Sequence, residues 1–289
     1  MTPDRKRPAL RMLSVDATNA GNAVNTANGQ KPSCSRPAGW IGGLGALLAL
    51  AAALMPGPPS ALAQGAAARG ADILQASVAI DGFRMDRTEV TVSRFDAFLK
   101  ATGRTTTAER EGGGFEWGAG WERRPGWTFR APSGKPARPD DPVAHVSWFE
   151  ARDFCAWAGG SLPSREQWSL AAYTERRAQP PAPFQRGKTY PYPTGDTPAG
   201  ANLSGAADGY ERHAPAGALP AGVNGLHEMA GNVWEWLADA QGEDRLTAGG
   251  SWWYGPSQTQ AAGMQFKPAR FFAVYVGFRC AYPLEPGPR

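Results

Sequence analysis

Few residues in this chain combine a reactive type with a usable spacing. The three histidines, His145, His213 and His227, lie far apart and form no His-x-x-x-His or comparable ligand pair. No Ser-His-Asp order, phosphate-binding glycine loop, Cys-x-x-Cys or dinucleotide fingerprint is present. Three cysteines occur, Cys34, Cys155 and Cys280. Two stretches stand out: Leu226-His227-Glu228-Met229-Ala230-Gly231-Asn232-Val233-Trp234-Glu235-Trp236, and Gly249-Gly250-Ser251-Trp252-Trp253-Tyr254, with Gly277-Phe278-Arg279-Cys280 near the end. The phenol of Tyr254, flanked by two indoles, is able to donate a hydrogen bond, move a proton or undergo oxidation; the plainer alternative is a packed aromatic beside Trp252 and Trp253. Trp234 and Trp236 read as core residues, where indole burial supplies large contact area. Taken alone, Asn202 and Asp208 read as turn residues.

The elements that position these groups are short. Ser77-Val78-Ala79-Ile80, Asp81-Gly82 and Phe83-Arg84-Met85 spell a hairpin whose Asp-Gly supplies the positive φ angles of a two-residue turn. Thr91 caps an expected helix to about Thr102 that lines up Val92, Phe95, Phe98 and Leu99 and ends at Gly103. Ser147-Trp148-Phe149-Glu150 and Ser164-Arg165-Glu166-Gln167 are capping boxes, opening helices to Ala158 and to about Thr174. Glu109 to Pro142 reads as ordered surface loops held by Trp117, Trp121 and Trp127, and residues 176–200 as irregular and Pro-rich. Strands are expected near Ala248–Trp253 and Ala273–Cys280. High Gly, Pro and Trp with few periodic stretches suit a loop-rich α+β fold.

Residues 1–63 read as a cleaved Sec-type signal peptide: a basic start, an apolar run from about Gly42 to Met55, and Ala61-Leu62-Ala63 before Gln64. Residues 64–76 read as a linker and 77–284 as one domain. The formal net charge of +4 is carried by the leader. Six of the 30 Lys/Arg and two of the 26 Asp/Glu fall within residues 1–63, so the remainder balances. That removes the electrostatic case for nucleic-acid binding, and no membrane contact is expected after cleavage. The expected location is periplasmic or secreted. The two cysteines left there, Cys155 and Cys280, suggest a disulfide, with two buried free thiols as the alternative.

The order of these blocks, with Pro142-Val143, Val146-Ser147-Trp148, Cys155-Ala156-Trp157-Ala158-Gly159, Leu162-Pro163-Ser164 and Gln167-Trp168, resembles the formylglycine-generating enzyme (sulfatase-modifying factor) family. The resemblance implies a single formylglycine-generating-enzyme-like domain, related to the C-type-lectin-like architecture. It pairs Cys155 with Cys280. It implies two structural Ca²⁺ sites built from hard oxygen donors: one on Asn202, Leu203, Asp208 and Tyr210, the other on Glu228, Gly231, Val233 and Glu235. Members that make formylglycine carry thiols at the third and eighth positions after the Ser of Gly-Gly-Ser. Here those positions are Tyr254 and Thr259, which cannot provide the thiolates that Cu(I) requires. Standard Cys-to-formylglycine conversion is therefore not expected. The ergothioneine-type relatives place a three-His iron site on an additional helical domain that has no counterpart here.

Two functions follow from the resemblance. One is an exported oxidoreductase of the pyoverdine-maturation type, with Trp252, Trp253, Tyr254 and Thr259 lining a cleft for a small metabolite or peptide-like substrate, Tyr254 as its catalytic candidate, and a redox cofactor the sequence does not name. The other is a non-catalytic periplasmic accessory or binding protein for an exported metalloenzyme or another partner.

Overall fold

The computed structural model describes residues 76–284 apart from Ala206. The expected signal peptide, and the linker up to its last residue, lie outside the described residues.

Strands β1 (Ser77–Ile80) and β2 (Phe83–Asp86) pair in the register Ile80↔Phe83, closing the two-residue Asp81-Gly82 turn with Gly82 at φ 79°. Helix α1 (Val92–Thr102) starts at Thr91, whose side chain accepts the Arg94 N–H, and stops at left-handed Gly103. Its Val92, Phe95, Phe98 and Leu99 are buried. A four-residue helix α2 (Thr107–Arg110) runs into the stretch Glu109–Pro142 expected to be loops, and a hairpin of β3 (Gly113–Trp117) and β4 (Trp121–Pro125) lies inside it. α2 carries its own capping box, Thr106 with Glu109. Helix α3 (Trp148–Ala158) opens with the Ser147/Glu150 box and α4 (Arg165–Tyr173) with the Ser164/Gln167 box.

The central sheet differs from expectation. A long strand β5 (Trp234–Gln241) pairs with β6 (Asp244–Ala248), which pairs with β7 (Gln265–Pro268), while β8 (Val276–Gly277) runs parallel to β5 on its other side. The strand expected near Ala248–Trp253 ends at Ala248, because Gly249 and Gly250 take φ 93° and 72° and turn the chain. The strand expected over Ala273–Cys280 shrinks to two residues. The rest is fully buried irregular chain whose backbone bonds reach outward, as in Val274 N–H to the Phe115 carbonyl at 3.0 Å. The last strand, β9 (Ala281–Pro283), pairs with β2 and completes a three-stranded sheet.

One core cluster gathers Phe95, Phe98, Phe129, Phe154 and Phe278 with Trp234 and Trp236. A second holds Phe83, Met85, Trp168, Leu226, Leu237 and Leu246. Each buried side chain of this size stabilises by roughly 1.5–3 kcal/mol. Indole N–H groups tie layers together: Trp236 donates to the Val146 carbonyl (3.0 Å) and Trp148 to that of Leu237 (2.7 Å). Cys155 and Cys280 form the disulfide, with Cα atoms 5.5 Å apart. Among the described residues no helix is long and apolar enough to cross a membrane.

Candidate functional site

The turn after β6 places the site. Tyr254 N–H bonds the Ser251 carbonyl at 2.9 Å, folding Trp252-Trp253-Tyr254 over the sheet face that carries Trp234. The Tyr254 ring meets Trp234 edge-on (5.5 Å between centroids) and Tyr275 likewise (5.8 Å). The two phenols are hydrogen-bonded, and burial, followed by this neighbour, pushes Tyr275 far above the usual phenol range. Trp253 stacks on Tyr275 at 6.4 Å, Trp252 lies 5.3 Å from Trp253, and Trp121 of β4 approaches Tyr275 at 6.0 Å. The expected Trp252, Trp253 and Tyr254 therefore do form one unit. Thr259 does not join it. The short turn Pro256–Thr259 points it inward, fully buried, where its hydroxyl donates to the Pro256 carbonyl (2.8 Å) and its own carbonyl accepts from Tyr173 Oη (2.9 Å).

Three cationic or titratable groups border this aromatic unit, of which Lys267 and Arg212 were not singled out in the sequence. Lys267 is 7% exposed, with Nζ 4.1 Å from the Trp234 ring centre and 3.0 Å from Gln265 Oε1. Burial without a facing carboxylate pushes its amine down to about 7. Arg212 lies between the rings of Trp127 (5.6 Å) and Trp252 (5.1 Å) and donates to Glu116 (2.8 Å), which also pairs with Arg124 (3.3 Å). His213 meets Trp252 edge-on at 5.9 Å and donates from Nε2 to the Val274 carbonyl at 2.7 Å. His145, at φ 57°, is fully buried and donates from Nε2 to the Pro132 carbonyl at 2.8 Å. Burial lowers both histidines to about 4, so both are neutral at pH 7. His227 pairs through Nδ1 with the Leu219 carbonyl at 2.8 Å.

Buried polar atoms without a partner concentrate here. Among the described residues they include the indole N–H of Trp121, Trp234 and Trp252 and Nη1 of Arg212, all donors of this aromatic unit. Buried donors are normally paired, and leaving one unpaired costs about 1–3 kcal/mol. The unit thus presents donors in want of acceptor atoms.

The two expected cation sites differ. Asn202 Oδ1 and Asp208 Oδ2 are buried oxygens without a donor, while Asn202 Nδ2 is fixed on the Arg212 carbonyl (2.7 Å) and Asp208 Oδ1 accepts from Tyr210 N–H (3.3 Å). Two orphaned oxygens suit a hard cation. In the second set, Glu235 is committed. Both its oxygens accept from buried Arg279 (2.7 to 2.9 Å), and one also from Trp168 Nε1 (2.8 Å). Glu228 accepts from the N–H groups of Gly217 (2.8 Å) and Leu219 (3.0 Å). Gly231 is locked where a Cβ would stand 1.9 Å from the Asn202 carbonyl oxygen, so its backbone joins the two loops. Glu89 adds a third buried carboxylate, bonded to Asn232 Nδ2 at 3.0 Å. Burial and then the Glu228 charge hold Glu89 well above the usual carboxylate range, and burial raises Glu228 as well. With three carboxylates around one guanidinium, burial favours the protonated form on the Glu89–Glu228 side, while Glu235 keeps Arg279 as its counter-charge. Among the described residues no group of three or more His, Cys, Asp or Glu side chains is set to hold a metal ion.

This fold, with a thiol-free aromatic unit at the turn after Gly249-Gly250, defines a class. Over residues 57–284 the chain matches the sulfatase-modifying factor enzyme 1-like domain, and it belongs to that family. It is 31% identical over 261 residues to the formylglycine-generating enzyme of Thermomonospora curvata, covering 71% of this chain and 83% of that one. It is 34% identical over 185 residues to a hercynine oxygenase of Mycolicibacterium thermoresistibile, covering 56% of this chain and 36% of that protein. Among solved structures, that of PvdO from Pseudomonas aeruginosa superposes with a TM-score of 0.52 at 22% identity, over 70% of this chain and 80% of that one, a likeness of fold.

Proposed function

We propose that this chain is an exported oxidoreductase of the formylglycine-generating-enzyme-like family that acts on a small metabolite or peptide-like substrate and does not convert Cys to formylglycine. The observation that carries the reading is the Tyr254–Tyr275 pair set among unpaired donors. The indole N–H groups of Trp121, Trp234 and Trp252 and Nη1 of Arg212 are buried without acceptors, and the oxygens of a substrate admitted there would satisfy them. That pattern suits an electron-rich, oxygen-bearing substrate stacked on the indoles. Tyr254 is the group placed to hold or pass the proton of such a substrate, with Tyr275 fixing its hydroxyl. Neither Tyr254 nor Thr259 provides a thiolate, so Cys chemistry has no carrier here. A relative named for oxygenase activity supports an oxidative role. Export is supported by the leader-like residues 1–63 and the Cys155–Cys280 disulfide, which persists in oxidising compartments. A structural calcium ion at Asn202, Leu203, Asp208 and Tyr210 belongs to the same reading; it would supply the positive charge that the two orphaned oxygens lack.

The second reading, a non-catalytic accessory or binding protein for an exported partner, is favoured by one observation: Tyr254 is packed edge-on against two rings, as a structural aromatic would be. The test is complementation of a deletion strain with Tyr254→Phe, comparing secreted metabolites by mass spectrometry. Accumulation of a precursor less oxidised than the wild-type product, by a variant that melts like wild type, supports the oxidoreductase. Full complementation by Tyr254→Phe removes Tyr254 from catalysis, and no metabolite difference in the deletion strain itself favours the accessory role.

A further inference from the structure

A cleft of about 660 Å³ lies away from the aromatic unit, between the end of α1, the short helix α2, the start of α3 and Arg270. Its volume is that of a small-molecule site. Phe98 and Leu99 of α1 and Phe149 of α3 give it apolar walls, and Arg104, Arg110 and Arg270 reach its rim.

The carboxylates around it are already engaged. Glu150 spends Oε1 on the Thr107 N–H (2.6 Å) and hydroxyl (3.0 Å), and Oε2 on those of Ser147 (both 2.8 Å). Asp153 takes Arg104 at 2.5 Å and Arg152 at 2.7 Å. Glu111 takes Arg123 at 2.5 Å. Among the described residues, no ion pair joins Arg110 or Arg270 to a carboxylate. Arg110 is held by the Thr105 carbonyl and Thr107 Oγ1 (2.9 Å), and Arg270 lies 5.6 Å over the Phe149 ring. Arg110 is hydrogen-bonded to neutral groups and Arg270 lies over an aromatic ring, both exposed at the mouth of a half-apolar cleft. That arrangement leaves their charge and remaining donors available to a planar or tetrahedral oxyanion.

We propose that this cleft is a second ligand site, for a small organic oxyanion with an aromatic or other apolar moiety: Arg110 and Arg270 hold the charge, and Phe98, Leu99 and Phe149 hold the apolar part. The site is independent of the Tyr254 reading, since it shares no residue with the aromatic unit.

Phenyl phosphate is the probe, titrated into the full mature protein by calorimetry at low salt, with benzyl alcohol as its neutral counterpart. The expected result is saturable one-to-one binding of phenyl phosphate, none of benzyl alcohol, and an affinity about tenfold or more weaker in an Arg110→Gln/Arg270→Gln variant, the size expected for losing hydrogen bonds to a charged group. Both positions are exposed, so an unchanged melting temperature shows that the variant is folded. Arg186→Gln, an exposed arginine outside the cleft, is expected to bind like wild type. No binding at millimolar probe, equal binding by the double variant, or equal weakening by Arg186→Gln would each overturn the proposal.

Discussion

Removing the Cys155–Cys280 link by replacing both residues with alanine gives the most quantitative test of how this domain is held together. The bridge spans 125 residues of sequence. On the loop-entropy account, opening a loop of that size releases about 5 kcal/mol of denatured-state entropy at 25 °C. Both sulfurs lie in the aromatic core beside Phe154 and Phe278, fully buried, so their truncation adds a packing loss of roughly 1 kcal/mol. A domain of ordinary stability has about 5–15 kcal/mol to lose. The double variant is therefore expected to lose a third or more of it, with Tm lower by roughly 10–20 °C for a domain of this size. Guanidinium unfolding of wild type and variant, both without reductant, reads the difference directly. Reductant on wild type gives a second reading: with both sulfurs buried, thiol exchange waits for opening, so the native bridge is expected to survive millimolar dithiothreitol until denaturant is added. A loss below about 1.5 kcal/mol would refute the reasoning, because the entropy of so long a loop would then contribute almost nothing.

Three further outcomes follow from titratable and coordinating groups. His145 and His213 have native values near 4 against 6.5 unfolded, so the unfolded chain takes up protons first on acidification; stability is expected to fall from pH 6.5 to 4, by up to roughly 3 kcal/mol per histidine, and His213→Gln should flatten the melting-temperature profile. Lys267 has the opposite consequence in the alkaline range: near 7 native against 10.5 unfolded, it makes the fold gain stability as pH rises between those values. Lys267→Met is therefore expected to be more stable than wild type at pH 7, by roughly 4 kcal/mol at most, and level with it by about pH 10.5; no gain at pH 7 would show that the amine is solvated. Stripping a bound calcium ion with EDTA should lower Tm, by about 2.7 kcal/mol of stability if free calcium stood at 100 times its Kd, and Asp208→Ala should abolish that response.

How much of this was legible in the sequence follows from the range of each interaction. Capping boxes at Ser147 and Ser164 and the Asp81-Gly82 turn are local, three residues or fewer, and the structure places them where the sequence indicates, though only Gly82 of the turn takes a positive φ. The box at Thr106 is equally local but was overlooked inside a stretch rich in Gly and Arg, where the β3–β4 hairpin also has no clean alternation. β5 has no counterpart in the sequence reading although β6, its antiparallel partner, follows directly (Gln241↔Asp244), whereas the irregular segment 273–280 is fixed by partners far along the chain, which propensity does not register. The site shows the same division. Trp252, Trp253 and Tyr254 announce themselves by adjacency, whereas Tyr275, Lys267 and Arg212 reach them only through the fold. Lys267 follows exposed Phe266 on a short strand and carries no sequence sign of burial. Glu235 reads as a cation ligand from its local spacing, while the residue that meets both its oxygens in the structure, Arg279, lies 44 residues away.

The closing segment of the domain sets the timing of its assembly. Arg279 meets Glu235, Cys280 meets Cys155, and β9 completes the sheet begun by β1 and β2, where the Cys280 N–H also bonds Asp86 at 3.0 Å. Until those few residues arrive, a buried carboxylate lacks its counter-charge, a thiol its mate and a strand its neighbour. A chain made from its N-terminus therefore lacks all three of these native contacts until residues 279–283 have been added.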